Sequence, residues 1–87
     1  AEIQPDDTVA VWGCGPVGLF AIQSAIVMGA AKVIAIDHYP HRLELARQLG
    51  AETVNFRTSN VREALMEMSG GIGVDAVIDA VGMEAHG

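Results

Sequence analysis

Gly13-Cys14-Gly15-Pro16-Val17-Gly18 decides the fold. Three glycines in the pattern G-x-G-x-x-G stand between a short β-prone apolar run, Thr8-Val9-Ala10-Val11-Trp12, and a stretch that opens on Pro16. Short glycine spacings recur by chance, so the pattern takes its meaning from following a strand and opening a helix. Gly13 allows a sharp turn, Gly15 lets a ligand approach the backbone, and Gly18 lets the helix lie close on the sheet. Pro16 suits the first helical position, where its missing N–H costs nothing, and Gly29 suits the residue just past the last turn. Val17, Phe20, Ala21, Ser24, Ala25 and Met28 fall near helical spacing and predict the packed face of this helix. Trp12 is expected to pack beside it.

Outward from the turn the punctuation is regular. Lys32-Val33-Ile34-Ala35-Ile36 reads as a second buried strand ending at Asp37. Pro40 opens a second helix with Leu43, Ala46 and Leu49 on one face, and Gly50 closes it. Thr53-Val54-Asn55 is a weak third strand. Asn60 with Glu63 three residues on resembles a capping box, and it precedes Val61, Ala64, Leu65 and Met68 at helical spacing. Ala76-Val77-Ile78 is a fourth strand. Apolar strands alternating with amphipathic helices, β-α-β-α-β-α-β, make an α/β chain with a parallel sheet and helices on both faces. Right-handed crossovers give the spatial order 3-2-1-4, a partial Rossmann fold. The fourth strand would leave an apolar edge bare, which is a liability, so a further strand is expected to cover it.

Composition narrows the classes. The chain has 87 residues, 51 % hydrophobic and 18 % charged, too apolar for a disordered segment and rich in core for so small a body. It opens without Met, and residues 1–87 read as part of a larger protein. Eleven acids against five bases give a net charge of −6, the opposite of the balance a nucleic-acid surface needs. A single cysteine, Cys14, excludes an internal disulfide or a multi-cysteine metal site within these residues. Residues 16–36 are apolar on average, but Gln23, Ser24, Gly29 and Lys32 interrupt them, so no membrane span is expected. No signal-peptide pattern opens the chain, and a soluble cytoplasmic protein is the reading.

The glycine turn and Asp37 together point to a ligand. A helix N-terminus offers unpaired N–H donors and roughly half a positive charge. Pro16 gives no donor, so the Val17 N–H is the expected phosphate contact. A tight turn alone does not require three glycines at this spacing. Asp37 lies 19 residues after Gly18, where an acid can accept hydrogen bonds from a ribose. The pair predicts a dinucleotide, NAD rather than NADP, because a carboxylate there repels a 2′-phosphate. Arg42 works in the other direction, and Asp37 is expected to outweigh it. Two other readings remain open on these residues. One is an S-adenosylmethionine-dependent methyltransferase, which also uses a glycine turn and an acid after the second strand. The other is a module that senses NAD without chemistry.

The stretches DTVAVWGCGPVGLFAIQSAIVMGAAKVIAID (residues 7–37), HRLELARQLGAETVN (41–55) and GVDAVIDAVG (73–82) resemble the coenzyme domain of the medium-chain, zinc-dependent alcohol dehydrogenase family. The likeness is greatest to its polyol, threonine and formaldehyde dehydrogenase members. The resemblance implies a parent enzyme that moves a hydride between an alcohol or aldehyde and nicotinamide, aided by a zinc ion acting as a Lewis acid. It implies cofactor contacts at Gly13, Gly15, Pro16, Val17 and Gly18, the ribose acid at Asp37, a basic residue at Arg42, and a cleft lining at Ala80-Val81-Gly82. It implies a homo-oligomer for the parent protein. The family's zinc ligands and proton relay belong to a catalytic domain outside these residues, so the 87 residues alone are not expected to catalyse.

Other chemistry-bearing residues read as structural. Cys14 occupies a loosely constrained position of the turn. His38 and His41 lack a third ligand at zinc-like spacing and read as surface residues bordering an adenine pocket, while His86 carries no inference. Asp75 and Asp79 are expected to end a strand and accept backbone hydrogen bonds.

Overall fold

The computed structural model describes residues 3–81; Gly82 and His86 lie outside them. Seven elements follow in turn: β1 (Thr8–Trp12), α1 (Pro16–Val27), β2 (Lys32–Asp37), α2 (Pro40–Leu49), β3 (Glu52–Asn55), α3 (Val61–Met68) and β4 (Ala76–Asp79). The strands form one sheet in the order β3-β2-β1-β4, and every pairing is parallel. Alternation and spatial order are those the sequence predicts.

Local chemistry sets the boundaries. Pro16 and Pro40 each stand in the first turn of their helix. Gly50 ends α2 in the left-handed region at φ 108°, and its N–H donates to the Arg47 carbonyl at 3.0 Å. Side chains larger than hydrogen resist that conformation. Asn60 caps α3, its Oδ1 accepting the Glu63 N–H at 3.0 Å. Asp75 Oδ2 accepts the Thr8 N–H at 2.8 Å, and Asp79 Oδ1 accepts that of Val81 at 3.1 Å, the backbone roles expected for both.

Strand side chains alternate between two cores. Val9, Val11, Val33 and Ala35 face α1 and α2, where they meet Ile22, Ala25, Leu43 and Ala46. Ala10, Ile34, Ile36 and Val54 face α3, where Val61, Ala64, Leu65 and Met68 pack on them. Ile22, Ile34 and Ile36 are fully buried, and each such side chain is worth about 1.5–3 kcal/mol relative to exposure.

Two expectations need correction. The buried residues of α1 are Gly18, Ile22 and Ala25, with Leu19 and Ala21 partly packed, whereas Phe20 is 69 % exposed and Val17 and Met28 are exposed too. Among twelve residues only Gln23 and Ser24 are polar side chains, so the helix carries too little polarity contrast to mark its inner face. Trp12 lies on the α3 side, not beside α1. Strand alternation sends Val11 toward α1 and Trp12, one residue on, to the opposite face.

Candidate functional site

The carboxyl ends of β1, β2 and β4 meet where the strand order reverses. Gly13 leaves β1 at φ 94°, a conformation glycine takes without steric cost. Its N–H donates to the Ile36 carbonyl at 2.8 Å, Ala80 N–H to Trp12 at 2.8 Å, and Phe56 N–H to Asp37 at 3.2 Å. These bonds hold the strand ends together beyond the ladder. Gly15 caps α1 with extended backbone; no side chain caps the first turn, and no acidic residue lies in it. The positive end of the helix dipole is therefore not offset by a side chain of its own first turn.

Asp37 is 4 % exposed and joins the turn to β2. Its Oδ2 accepts the Cys14 N–H at 2.7 Å, and its Oδ1 accepts its neighbour's, His38, at 2.6 Å. Arg42 Nη1 stands 3.6 Å from Oδ2. Burial alone would push this carboxyl up. The backbone donors of Cys14, His38 and Tyr39, together with the Arg42 guanidinium, outweigh burial and hold it below the usual carboxylate value. Asp37 is thus held as an anion, and beside its three backbone donors about one of a carboxylate's roughly four acceptor sites is left over.

Above it opens a cleft of about 450 Å³ lined by Trp12, Gly13, Ile36, Asp37, His38, Tyr39, Arg42, Phe56 and Val81, within the roughly 300–1,000 Å³ of small-molecule pockets. The rings form one assembly. His38 lies 3.9 Å from Tyr39 and 4.9 Å from Phe56 between centroids, Phe56 lies 6.2 Å from Trp12, and the Arg42 guanidinium sits 4.8 Å over Tyr39. Apolar walls around one buried anion suit a flat, polar-edged ligand.

Of the residues singled out from sequence, Gly13, Asp37, Arg42 and Val81 line this cleft, while Gly15, Pro16, Val17 and Gly18 continue from Gly13 into α1 and do not line it. His38 is a half-buried wall of the cleft rather than a surface residue; His41 is exposed and outside it. Trp12, Ile36, Tyr39 and Phe56 were not singled out for it. Their signal was position: each lies at or just past the carboxyl end of a strand, where open α/β sheets bind ligands. Cys14 is buried, its N–H on Asp37.

The model of one protein family, described as zinc-binding dehydrogenase, matches residues 16–86. The chain belongs to that family. An alcohol dehydrogenase of Cupriavidus necator is 50 % identical over 98 % of this chain. A zinc-type alcohol dehydrogenase-like protein of Schizosaccharomyces pombe is 47 % identical over 93 %. Among solved structures, the alcohol dehydrogenase TADH of Thermus sp. ATN1 superposes with a TM-score of 0.88 at 46 % identity, over 90 % of this chain and 22 % of that one. Benzyl alcohol dehydrogenase of Acinetobacter calcoaceticus gives 0.88 at 39 % identity, over 93 % and 22 %. The chain thus spans about a fifth to a quarter of the length of these relatives, 24 % of the first and 19 % of the second.

Among the described residues of this family member, no three His, Cys, Asp or Glu side chains group so as to hold a metal ion, and no helix is long and apolar enough to cross a membrane. The lowered pKa of Asp37 gives a pH prediction. A carboxyl whose folded pKa lies below its unfolded value of about 3.9 stabilises the fold above that value, and the contribution is lost as pH falls toward and through the folded pKa. Urea midpoints are expected to show no Asp37 contribution to their slope between about pH 5 and pH 7, then a drop below about pH 4 that Asp37→Asn reduces.

Proposed function

We propose that the chain is part of the dinucleotide-binding domain of an NAD-dependent alcohol dehydrogenase, which transfers a hydride between a small alcohol or aldehyde and nicotinamide. The observation that carries this reading is the anionic, buried Asp37 at the floor of an aromatic cleft, bonded to the glycine turn that opens α1. The donor set fits NAD. Asp37 retains acceptor capacity for ribose hydroxyls, and Tyr39, His38 and Phe56 offer ring faces to an adenine. Gly13 and Gly15 keep side chains away from the pyrophosphate, the Val17 amide donates to it, and Gly18, a buried residue of the first turn of α1, keeps helix and sheet close. Arg42 reaches the sugar edge and Val81 borders the far end.

When bound, NAD supplies the hydride acceptor. The chain's own residues hold and orient it and exclude water from its adenosine half. The described residues do not suit zinc, whose ligands we assign to the remainder of the enzyme, together with the substrate site. We further propose a cytoplasmic homo-oligomer, a reading supported by the family likeness and by the single cysteine.

The test is calorimetric titration of the full-length protein with NAD, NADP and S-adenosylmethionine. NAD is expected to bind at least about tenfold more tightly than NADP, one charge repulsion being worth about 1.4 kcal/mol or more, and S-adenosylmethionine is expected not to bind. Binding of S-adenosylmethionine in preference to NAD would overturn the reading, and NAD binding without alcohol turnover would make the protein a sensor.

A further inference from the structure

The helix that opens on the glycine turn is apolar on all sides. From Thr8 to Ala31 the chain carries no charged side chain, and within α1 only Gln23 and Ser24 are polar. Ile22 and Ala25 pack on the sheet, while among the described residues Val17, Phe20 and Val27 stand outward, Phe20 69 % and Val27 86 % exposed. With Ser24 these three fall at helical spacing and form one stripe along the outer face. Phe20, Gln23, Ser24, Val27 and Met28 line an open groove of about 400 Å³ on that face. A helix apolar all round belongs inside a larger core or a membrane. The twelve residues of α1 fall short of the roughly 20 that a membrane span needs. A helix lying on a membrane surface carries Lys or Arg on its polar face, and α1 has neither.

We infer that the outer face of α1 is a docking surface for the remainder of the same polypeptide, the part to which the substrate site is assigned. This rests on the reading of the chain as part of a larger dehydrogenase. Three observations select that occupant. The 87 residues span about a fifth to a quarter of their relatives' length, which leaves most of the enzyme to cover the helix. The stripe begins at Val17, in the turn proposed to meet the pyrophosphate. A body that brings substrate to the nicotinamide therefore arrives at that end of α1 and continues along it. The face also carries no charge, whereas surfaces that bind and release partners in solution keep a polar rim; a permanent interface is more hydrophobic and resembles a core cut in half. A second copy of the chain would meet the third condition without reaching Val17. The docking segment is apolar and uncharged opposite Phe20, Ser24 and Val27, because a charge there would lose its water with no counter-charge to replace it.

The test is hydroxyl-radical footprinting of the full-length protein, read by mass spectrometry at Phe20 and Met28. It is run over a dilution series that reaches the monomer by mass photometry. The expected result is a loss of labelling at both residues relative to the urea-unfolded protein, the same at every dilution. Labelling that returns as the protein dissociates would give the face to a second copy, and labelling at the unfolded rate throughout would leave it open to water; either overturns the inference. A charge placed on the stripe gives a second readout. Phe20→Asp is expected to lower the Tm of the full-length protein by at least about 4 °C, and Phe20→Leu by less. An unchanged Tm in Phe20→Asp would contradict a covered face. NAD titration of the same wild-type sample separates the two readings. NAD binding with Phe20 freely labelled removes only the docking surface, whereas absence of NAD binding removes the cofactor reading whatever the footprint shows.

Discussion

Asp37→Ala is expected to lower folding stability by about 2–6 kcal/mol, because it strands two closely bonded backbone donors, one buried and one part-buried, at roughly 1–3 kcal/mol each. Those donors are the N–H groups of Cys14 and His38, at 2.7 and 2.6 Å from the carboxylate. Complete domains hold only about 5–15 kcal/mol in all, so the loss is large on that scale. Cys14 sits inside the glycine turn, and the same substitution loosens the turn itself. NAD affinity is expected to fall at least about 10–100-fold, the worth of hydrogen bonds to a charged acceptor at about 1.5–3 kcal/mol. Asp37→Asn, which keeps one acceptor oxygen, is expected to recover part of the stability and little of the affinity. Urea denaturation and calorimetry measure the two effects separately. An alanine variant as stable as wild type would show that the carboxylate does not hold the turn.

Gly15→Val separates binding from folding. Gly15 has φ −77° and ψ −165°, extended backbone without left-handed strain, although the residue is buried. Gly13 has φ 94°, where a β-branched side chain is a steric outlier. Gly13→Val is therefore expected to be the more destabilising of the two in thermal denaturation. Gly15→Val instead puts three carbons where the pyrophosphate is proposed to meet the backbone, and is expected to weaken NAD at least about 100-fold, some 2.7 kcal/mol or more. Unchanged NAD affinity in a folded Gly15→Val protein would remove the glycine turn from the site.

Most of the fold could be read from Gly and Pro, because these residues act on the backbone directly. Pro16 and Pro40 start helices and Gly50 stops one by restricting or permitting φ, whatever the rest of the fold does. Side-chain direction was less legible. The inner face of α1 was hidden by a nearly uniform apolar sequence, and the side taken by Trp12 depended on strand phase, which the run Thr8–Trp12 does not reveal by polarity. The cleft divided in the same way. Gly13 and Asp37 announce themselves by spacing, whereas Tyr39, Phe56 and Trp12 are far apart in sequence and meet only because β1, β2 and β3 end side by side. The hold of Asp37 on the Cys14 amide is likewise a contact across 23 residues, produced by strand pairing rather than by any local pattern.

A crystal structure of the full-length protein with NAD tests the central claim most directly. The predicted result is a pyrophosphate oxygen at about 3 Å from the Val17 amide and ribose hydroxyls at about 2.7 Å from the Asp37 carboxylate, with the adenine among Tyr39, His38 and Phe56. A dinucleotide seated elsewhere, or an adenosine ribose turned away from Asp37, would contradict it.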